Sequence, residues 1–229
     1  MKALVFDTGP IITLALNNML WLLKKLKDKF NGEFYITESV YREAIERPMS
    51  SRRFKFEALQ ILKLKQEGVI KVYKNPKLRN STVKLLKLSN SLFKAHGQYI
   101  KNLQYAEIET IVAAQLLGAN IVVIDEFYTR MLLENPSFVK ERMEKKLHEK
   151  VEIDSQNLEI FKRSVNDVKV IRSVELAVIA YENGFFKDFY LNISEPMKTL
   201  FEGILWAVKL NGCSMTENEI NELIKIEEL

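Results

Sequence analysis

Two short apolar runs, each ending on an aspartate, limit what this chain can fold into more than any other feature. Near the start the sequence reads Ala3-Leu4-Val5-Phe6-Asp7, and in mid-chain it reads Ile121-Val122-Val123-Ile124-Asp125. Neither run alternates with polar residues, as expected of strands covered on both faces by helices in a parallel sheet. Ligands of such sheets gather beyond the carboxyl ends of the strands. Two carboxylates delivered there by separate strands are costly neighbours unless a cation lies between them.

The segments between these runs predict the helices that such a sheet needs. Thr8-Gly9-Pro10 reads as a tight turn into a helix with Pro10 at an early helical position. Its apolar spacing continues through Ile11, Leu14, Leu16, Leu20 and Leu23 to an end near Asn31-Gly32. A strand at Phe34-Tyr35-Ile36 follows, with Thr37 as N-cap of a helix carrying Val40 to Arg47, stopped by Pro48. Further helices are predicted over Arg52–Gln66, Ser81–Ala95 and Leu103–Leu117, with a strand over Val69–Tyr73 and Gly118 ending the last helix.

Beyond Asp125, residues 135–166 are polar, charged and helix-prone and read as an insertion; Val168–Ile171 reads as a strand. Ser173 then caps a helix, and two more end near Leu210 and Ile226. The expectation is an α/β domain over residues 1–186 and a helical extension over residues 187–229 that packs on it. The extension carries the apolar stripe Met197, Leu200, Phe201, Ile204, Leu205 and Val208, which suits packing on its own domain or a homodimer contact.

Composition removes several chemistries. The one cysteine, Cys213, excludes an internal disulfide, and with only two histidines, His96 and His148, a zinc site of the usual ligands is not expected. No apolar run reaches the roughly 20 residues needed to cross a bilayer, and the chain enters its first strand without a secretory signal. A soluble, cytoplasmic protein is expected. The net charge of +4 is compatible with nucleic acid without demanding it.

Asp7 and Asp125 have three candidate companions. Glu43 lies on the helix after the second strand, and Glu107 and Glu109 lie on the helix before the Asp125 strand. Residues two apart on a helix point roughly 200° apart, so Glu107 and Glu109 cannot both face one site. Both lie among apolar neighbours, and the helical wheel does not choose between them. Grouped carboxylates suit a hard divalent cation, Mg²⁺ or Mn²⁺. Such ions activate water and steady the leaving oxygen in phosphodiester hydrolysis.

At these residues the chain resembles the PIN-domain family. Val5-Phe6-Asp7-Thr8-Gly9-Pro10 is similar to its first motif, and Phe34-Tyr35-Ile36-Thr37 leading to Glu43 is similar to its second. Ala106-Glu107-Ile108-Glu109-Thr110-Ile111 resembles the third, and Ile124-Asp125-Glu126 followed by Arg130 the fourth. The resemblance implies a three-layer α/β/α fold with a central, mostly parallel sheet and extra C-terminal helices. It favours Glu107 over Glu109, and implies Asp7, Glu43, Glu107 and Asp125 as catalytic metal ligands, with Thr8 and Glu126 in support.

The activity implied is that of a Mg²⁺- or Mn²⁺-dependent endoribonuclease acting on single-stranded or loop RNA. Arg52, Arg53 and Arg130 are candidate RNA contacts. The alternative is a non-catalytic module that holds RNA or a protein, an antitoxin-like partner among them. A haloacid-dehalogenase-type phosphohydrolase also opens on Val-Phe-Asp. It needs a second aspartate two residues on, where this chain has Gly9.

Overall fold

A computed structural model describes residues 2–227. The chain begins with β1 (Ala3–Phe6), α1 (Thr8–Leu16), α2 (Leu22–Phe30) and β2 (Glu33–Ile36). Next, α3 (Glu38–Tyr41) passes through a π-helical stretch (Arg42–Glu46) into α4 (Arg47–Met49), followed by α5 (Lys55–Gln66) and β3 (Ile70–Val72). Then come α6 (Leu78–Ser89), β4 (Phe93–Ala95), β5 (Gln98–Tyr99), α7 (Tyr105–Leu117), β6 (Ile121–Val123) and α8 (Phe127–Glu134). The remainder is α9 (Pro136–Leu147), β7 (Glu152–Ile153), α10 (Ser155–Ser164), β8 (Lys169–Ile171), α11 (Ser173–Glu182), α12 (Pro196–Leu210) and α13 (Glu217–Ile226).

The main sheet runs β3-β2-β1-β6-β8, and every pairing in it is parallel. Its central strands bury both faces, as their unbroken apolar runs require. Leu4, Phe6 and Val123 belong to one core with α1, α2, α5, α11 and α12. Ala3, Val5, Val122 and Ile124 belong to the other with α6, α7, α9 and α10. This period-2 division is the three-layer α/β/α arrangement. Strands β1 and β6 are direct neighbours with Phe6 opposite Val123, so the residues that follow them emerge side by side.

Local expectations change at several points, and the helix expected to stop at Pro48 runs through it to Met49. The helix predicted from Ile11 toward Asn31 is two helices, because Asn17 caps α1 and Asn18 turns left-handed (φ 54°), a conformation asparagine tolerates. The helix predicted to Ala95 stops at Ser89. Its apolar continuation, Leu92 and Phe93, instead leads into a β4–β5 hairpin, whose two-residue turn His96-Gly97 has positive φ at both positions.

The stretch 135–166 is helical as expected and is built into the domain. Its β7 pairs with β4, and Val139, Met143, Val151 and Phe161 are buried with Leu78, Leu85 and Leu92 in the second core. Enough apolar side chains point one way to make it part of the domain wall. The α12 stripe packs inward as well. Phe201, Ile204, Leu205 and Val208 share the first core with Leu14, Leu23 and Ala177. No helix among the described residues is long and apolar enough to cross a membrane.

Candidate functional site

Asp7 leaves β1 in extended conformation and caps α1, its Oδ2 accepting from the Gly9 amide at 3.4 Å. Its own amide donates to the Val123 carbonyl at 2.9 Å, which ties it to the end of β6. The side chain is only 5% exposed. Gly9 lies between the two aspartates: a Cβ there would stand 3.5 Å from Asp125 Cβ and 3.8 Å from Asp7 Oδ2. Asp7 and Asp125 therefore occupy the same end of the sheet.

Glu43 reaches this end from the π-helical stretch. Its Oε2 accepts from the Thr8 hydroxyl at 2.9 Å, so the residue after Asp7 orients it. A π turn widens the helix by one residue and re-aims the side chains it carries, a device common at functional sites. On α7 the two glutamates diverge. Glu107 Oε2 accepts from the Gln104 amide at 3.1 Å and from the Thr129 hydroxyl at 2.8 Å. Glu109 Oε2 accepts from the Ser39 amide at 3.1 Å and serves the first turn of α3 instead. Glu126 caps α8, its Oε2 accepting from the Thr129 amide at 2.7 Å. Thr129 thus links Glu107 and Glu126.

The carboxylates sense one another. Burial raises the Asp7 carboxyl to about 6; the Thr8 and Gly9 amides oppose the rise, while the Glu43 and Asp125 charges add to it. Burial raises Glu107 to about 7, opposed by Thr129 and Gln104 and reinforced by Glu126 and Asp7. Asp125 is also raised by burial, against hydrogen bonds from Ser173, Thr13 and Cys213. Cys213, a buried thiol pushed up to about 12 mainly by burial, is no nucleophile. Among the described residues, no three acidic, histidine or cysteine side chains are drawn together tightly enough to hold an ion. Glu43 and Glu107 are instead turned onto threonine hydroxyls.

A cleft of about 770 Å³ runs beside edge strand β3, lined by Glu38, Tyr41, Arg42, Lys65, Lys71 and Lys74 among others. A second, of about 470 Å³, shares Glu38 and Arg42 and adds Arg79, Tyr105 and Glu109. Lys74 is paired with Glu38 and Lys71 with Glu33. Arg42 precedes Glu43 in the chain, and Tyr105 opens the helix that bears Glu107. Sequence reasoning passed over Arg42 and Arg79, although adjacency to Glu43 was a signal for the first. Of the arginines it singled out, Arg52 and Arg53 are exposed in the loop before α5. Arg130 lies on α8 with its guanidinium largely covered and paired to Glu134 at 3.2 Å.

A family model described as a PIN domain matches residues 3–137. No curated protein matches the chain. The matched span exceeds half of the 229 residues and runs from β1 through α8, so it contains Asp7, Glu43, Glu107, Asp125 and Glu126. By that match the chain belongs to the PIN-domain family, a nuclease-type fold.

Proposed function

We propose that this PIN-domain protein is a metal-dependent endoribonuclease that hydrolyses phosphodiester bonds of single-stranded or loop RNA. What supports the reading is the placement of acids from distant parts of the chain: Gly9 lies between Asp7 and Asp125, Thr8 holds Glu43, and Thr129 joins Glu107 to Glu126. Burial raises Asp7 to about 6 and Glu107 to about 7. A site that buries such groups is one in which a cation restores their charged forms.

The donor set fits Mg²⁺ or Mn²⁺, being entirely oxygen. Asp7, Glu43 and Glu107 would hold the ion, with a further carboxylate from the Asp125-Glu126 pair, and Thr8 and Thr129 would hold the glutamates in reach. When bound, the ion supplies an activated water and neutralises charge on the phosphodiester. The chain's own residues do the rest. Arg42 and Arg79, with Tyr41 and Tyr105, line two neighbouring clefts whose chemistry suits phosphates and stacked bases.

Cleavage of a labelled single-stranded RNA, measured with and without Mn²⁺, tests the reading beside calorimetric Mn²⁺ titration. The wild type should bind Mn²⁺ and cut, and a folded Asp7→Asn variant should do neither. Undiminished cleavage by Asp7→Asn would remove Asp7 and the four-acid site from the reaction, and a wild type that binds RNA but no divalent ion and does not cut would replace the nuclease with a binding module.

A further inference from the structure

The two acids that close β6 face different ways. Asp125 is 1% exposed and both of its oxygens are engaged from within. Oδ1 accepts from the Ser173 amide at 2.7 Å; Oδ2 accepts from the Ser173 hydroxyl at 2.7 Å and the Thr13 hydroxyl at 2.9 Å. A carboxylate has about four lone-pair positions, so these three donors and the burial of the residue leave little for an ion. Glu126 is half-buried and shares Thr129 with Glu107, and among the described residues its Oε1 accepts no hydrogen bond.

What Asp125 grips is the C-terminal part of the chain, beyond the residues matched by the family model. Ser173 opens α11, and the Asp125 carbonyl accepts the Ser214 amide at 3.2 Å. Arg172, next to Ser173, closes the same junction from the other side. Its guanidinium pairs with Glu175, donates to the Ser214 carbonyl at 3.0 Å and pairs with Glu219 on α13 at 2.8 Å. Thr13 reaches the junction from α1, five residues after Thr8. The junction therefore ties β6, α1, α11 and the turn before α13 into one unit directly behind Asp7.

We propose that Asp125 is a positioning residue that fastens the C-terminal helices to the catalytic end of the sheet, and that Glu126 is the fourth carboxylate presented to the ion. This rests on the metal-dependent reading above. The division of labour gives the site its shape: an inward acid fixes the backbone at the strand end, and the next residue turns outward beside Glu107.

The test compares full-length wild type, Asp125→Asn, Glu126→Gln, Glu126→Asp and Ser173→Ala by Mn²⁺ calorimetry and by amide hydrogen exchange without metal. Asparagine at 125 keeps the shape of the side chain and an acceptor for the Ser173 amide. Glu126→Gln should lose about tenfold or more in Mn²⁺ affinity, as expected of a lost ligand, with unchanged exchange at Ser173 and Ser214. Glu126→Asp should recover most of that affinity. Asp125→Asn and Ser173→Ala should instead accelerate exchange at Ser173 and Ser214, and keep affinity within about threefold of wild type.

The reverse ordering, with Asp125→Asn losing Mn²⁺ while its exchange stays slow, overturns the assignment. So does unchanged affinity in Glu126→Gln. A wild type that binds no Mn²⁺ removes the metal reading and the role of Glu126 with it. The fastening role of Asp125 is then still decided by the exchange rates, and slow exchange in both Asp125→Asn and Ser173→Ala refutes it.

Discussion

Replacing Asp7 with asparagine should make the metal-free protein more stable at neutral pH. In the folded chain, burial lifts this carboxyl from 3.8 to about 6. Ionising it there costs about 3 kcal/mol more than in the unfolded chain, at 1.36 kcal/mol per pH unit. Because the folded value is the higher, the folded state holds the proton more tightly. Its contribution is intact below pH 4, declines as pH rises toward 6, and is gone above that.

Asparagine keeps the cap, since its oxygen still accepts from Gly9, and removes the charge. In EDTA at pH 8 the Asp7→Asn chain should exceed wild type by about 3 kcal/mol in urea unfolding. At roughly 2–4 °C per kcal/mol for a chain of this length, its Tm should rise by about 6–12 °C. At pH 4 the gap should shrink below about 1 kcal/mol. Saturating Mn²⁺ should then stabilise wild type and leave the variant unmoved. A variant no more stable than wild type at pH 8 would refute the claim that Asp7 is held under electrostatic stress.

Other substitutions probe the remaining parts. Glu107→Gln should abolish Mn²⁺-dependent cleavage, whereas Glu109→Gln, whose amide oxygen can still accept from Ser39, should cut at close to the wild-type rate. Arg172→Met should lower stability by about 1–2 kcal/mol in urea titration, because it leaves the partly exposed Glu175 and Glu219 and the Ser214 carbonyl without their partner. Arg42→Ala and Arg79→Ala should each weaken single-stranded RNA binding, followed by fluorescence anisotropy in EDTA. Each should also flatten the salt dependence by about one phosphate contact.

The sheet was legible because its central strands are buried on both faces, and Ala3–Phe6 and Ile121–Val123 could be nothing else in a chain of this composition. Thr37 was legible for a different reason: a side-chain oxygen at a strand–helix junction has a local partner, here the Val40 amide. Glu107 and Glu109 were not separable on the wheel. The middle of α7 is buried on every side, from Ala106 to Ala114, and the partners that distinguish them, Thr129 and Ser39, belong to other elements. Nor could the inward turn of Asp125 be read locally. A strand-end aspartate looks the same in sequence whether it faces solvent or core, and the residue that captures it, Ser173, lies 48 positions away. The hairpin at Phe93–Tyr99 was hidden because Leu92 and Phe93 continued the apolar spacing of α6, although His96-Gly97 carried the turn signal.

The C-terminal helices matter to the argument about stability as much as Asp7 does. Phe201, Ile204, Leu205 and Val208 are almost wholly buried on the face of the sheet that carries α1. Burial of side chains of this kind contributes about 1.5–3 kcal/mol each, so these four are worth about 6–12 kcal/mol against exposure. That is comparable to the 5–15 kcal/mol by which a typical domain is stable at all. A chain ending at residue 186 would lose that contribution and the Ser214 contacts at the Asp125 junction, and would leave Leu14, Leu23 and Ala177 facing water. It should therefore fail to give a cooperative thermal transition and should bind a hydrophobic dye, whereas the full chain should melt cooperatively and leave the dye unbound. Should residues 1–186 melt cooperatively near the full-length Tm, the tail would be an accessory, and the contacts of Ser173 and Thr13 with Asp125 would hold the catalytic end without it.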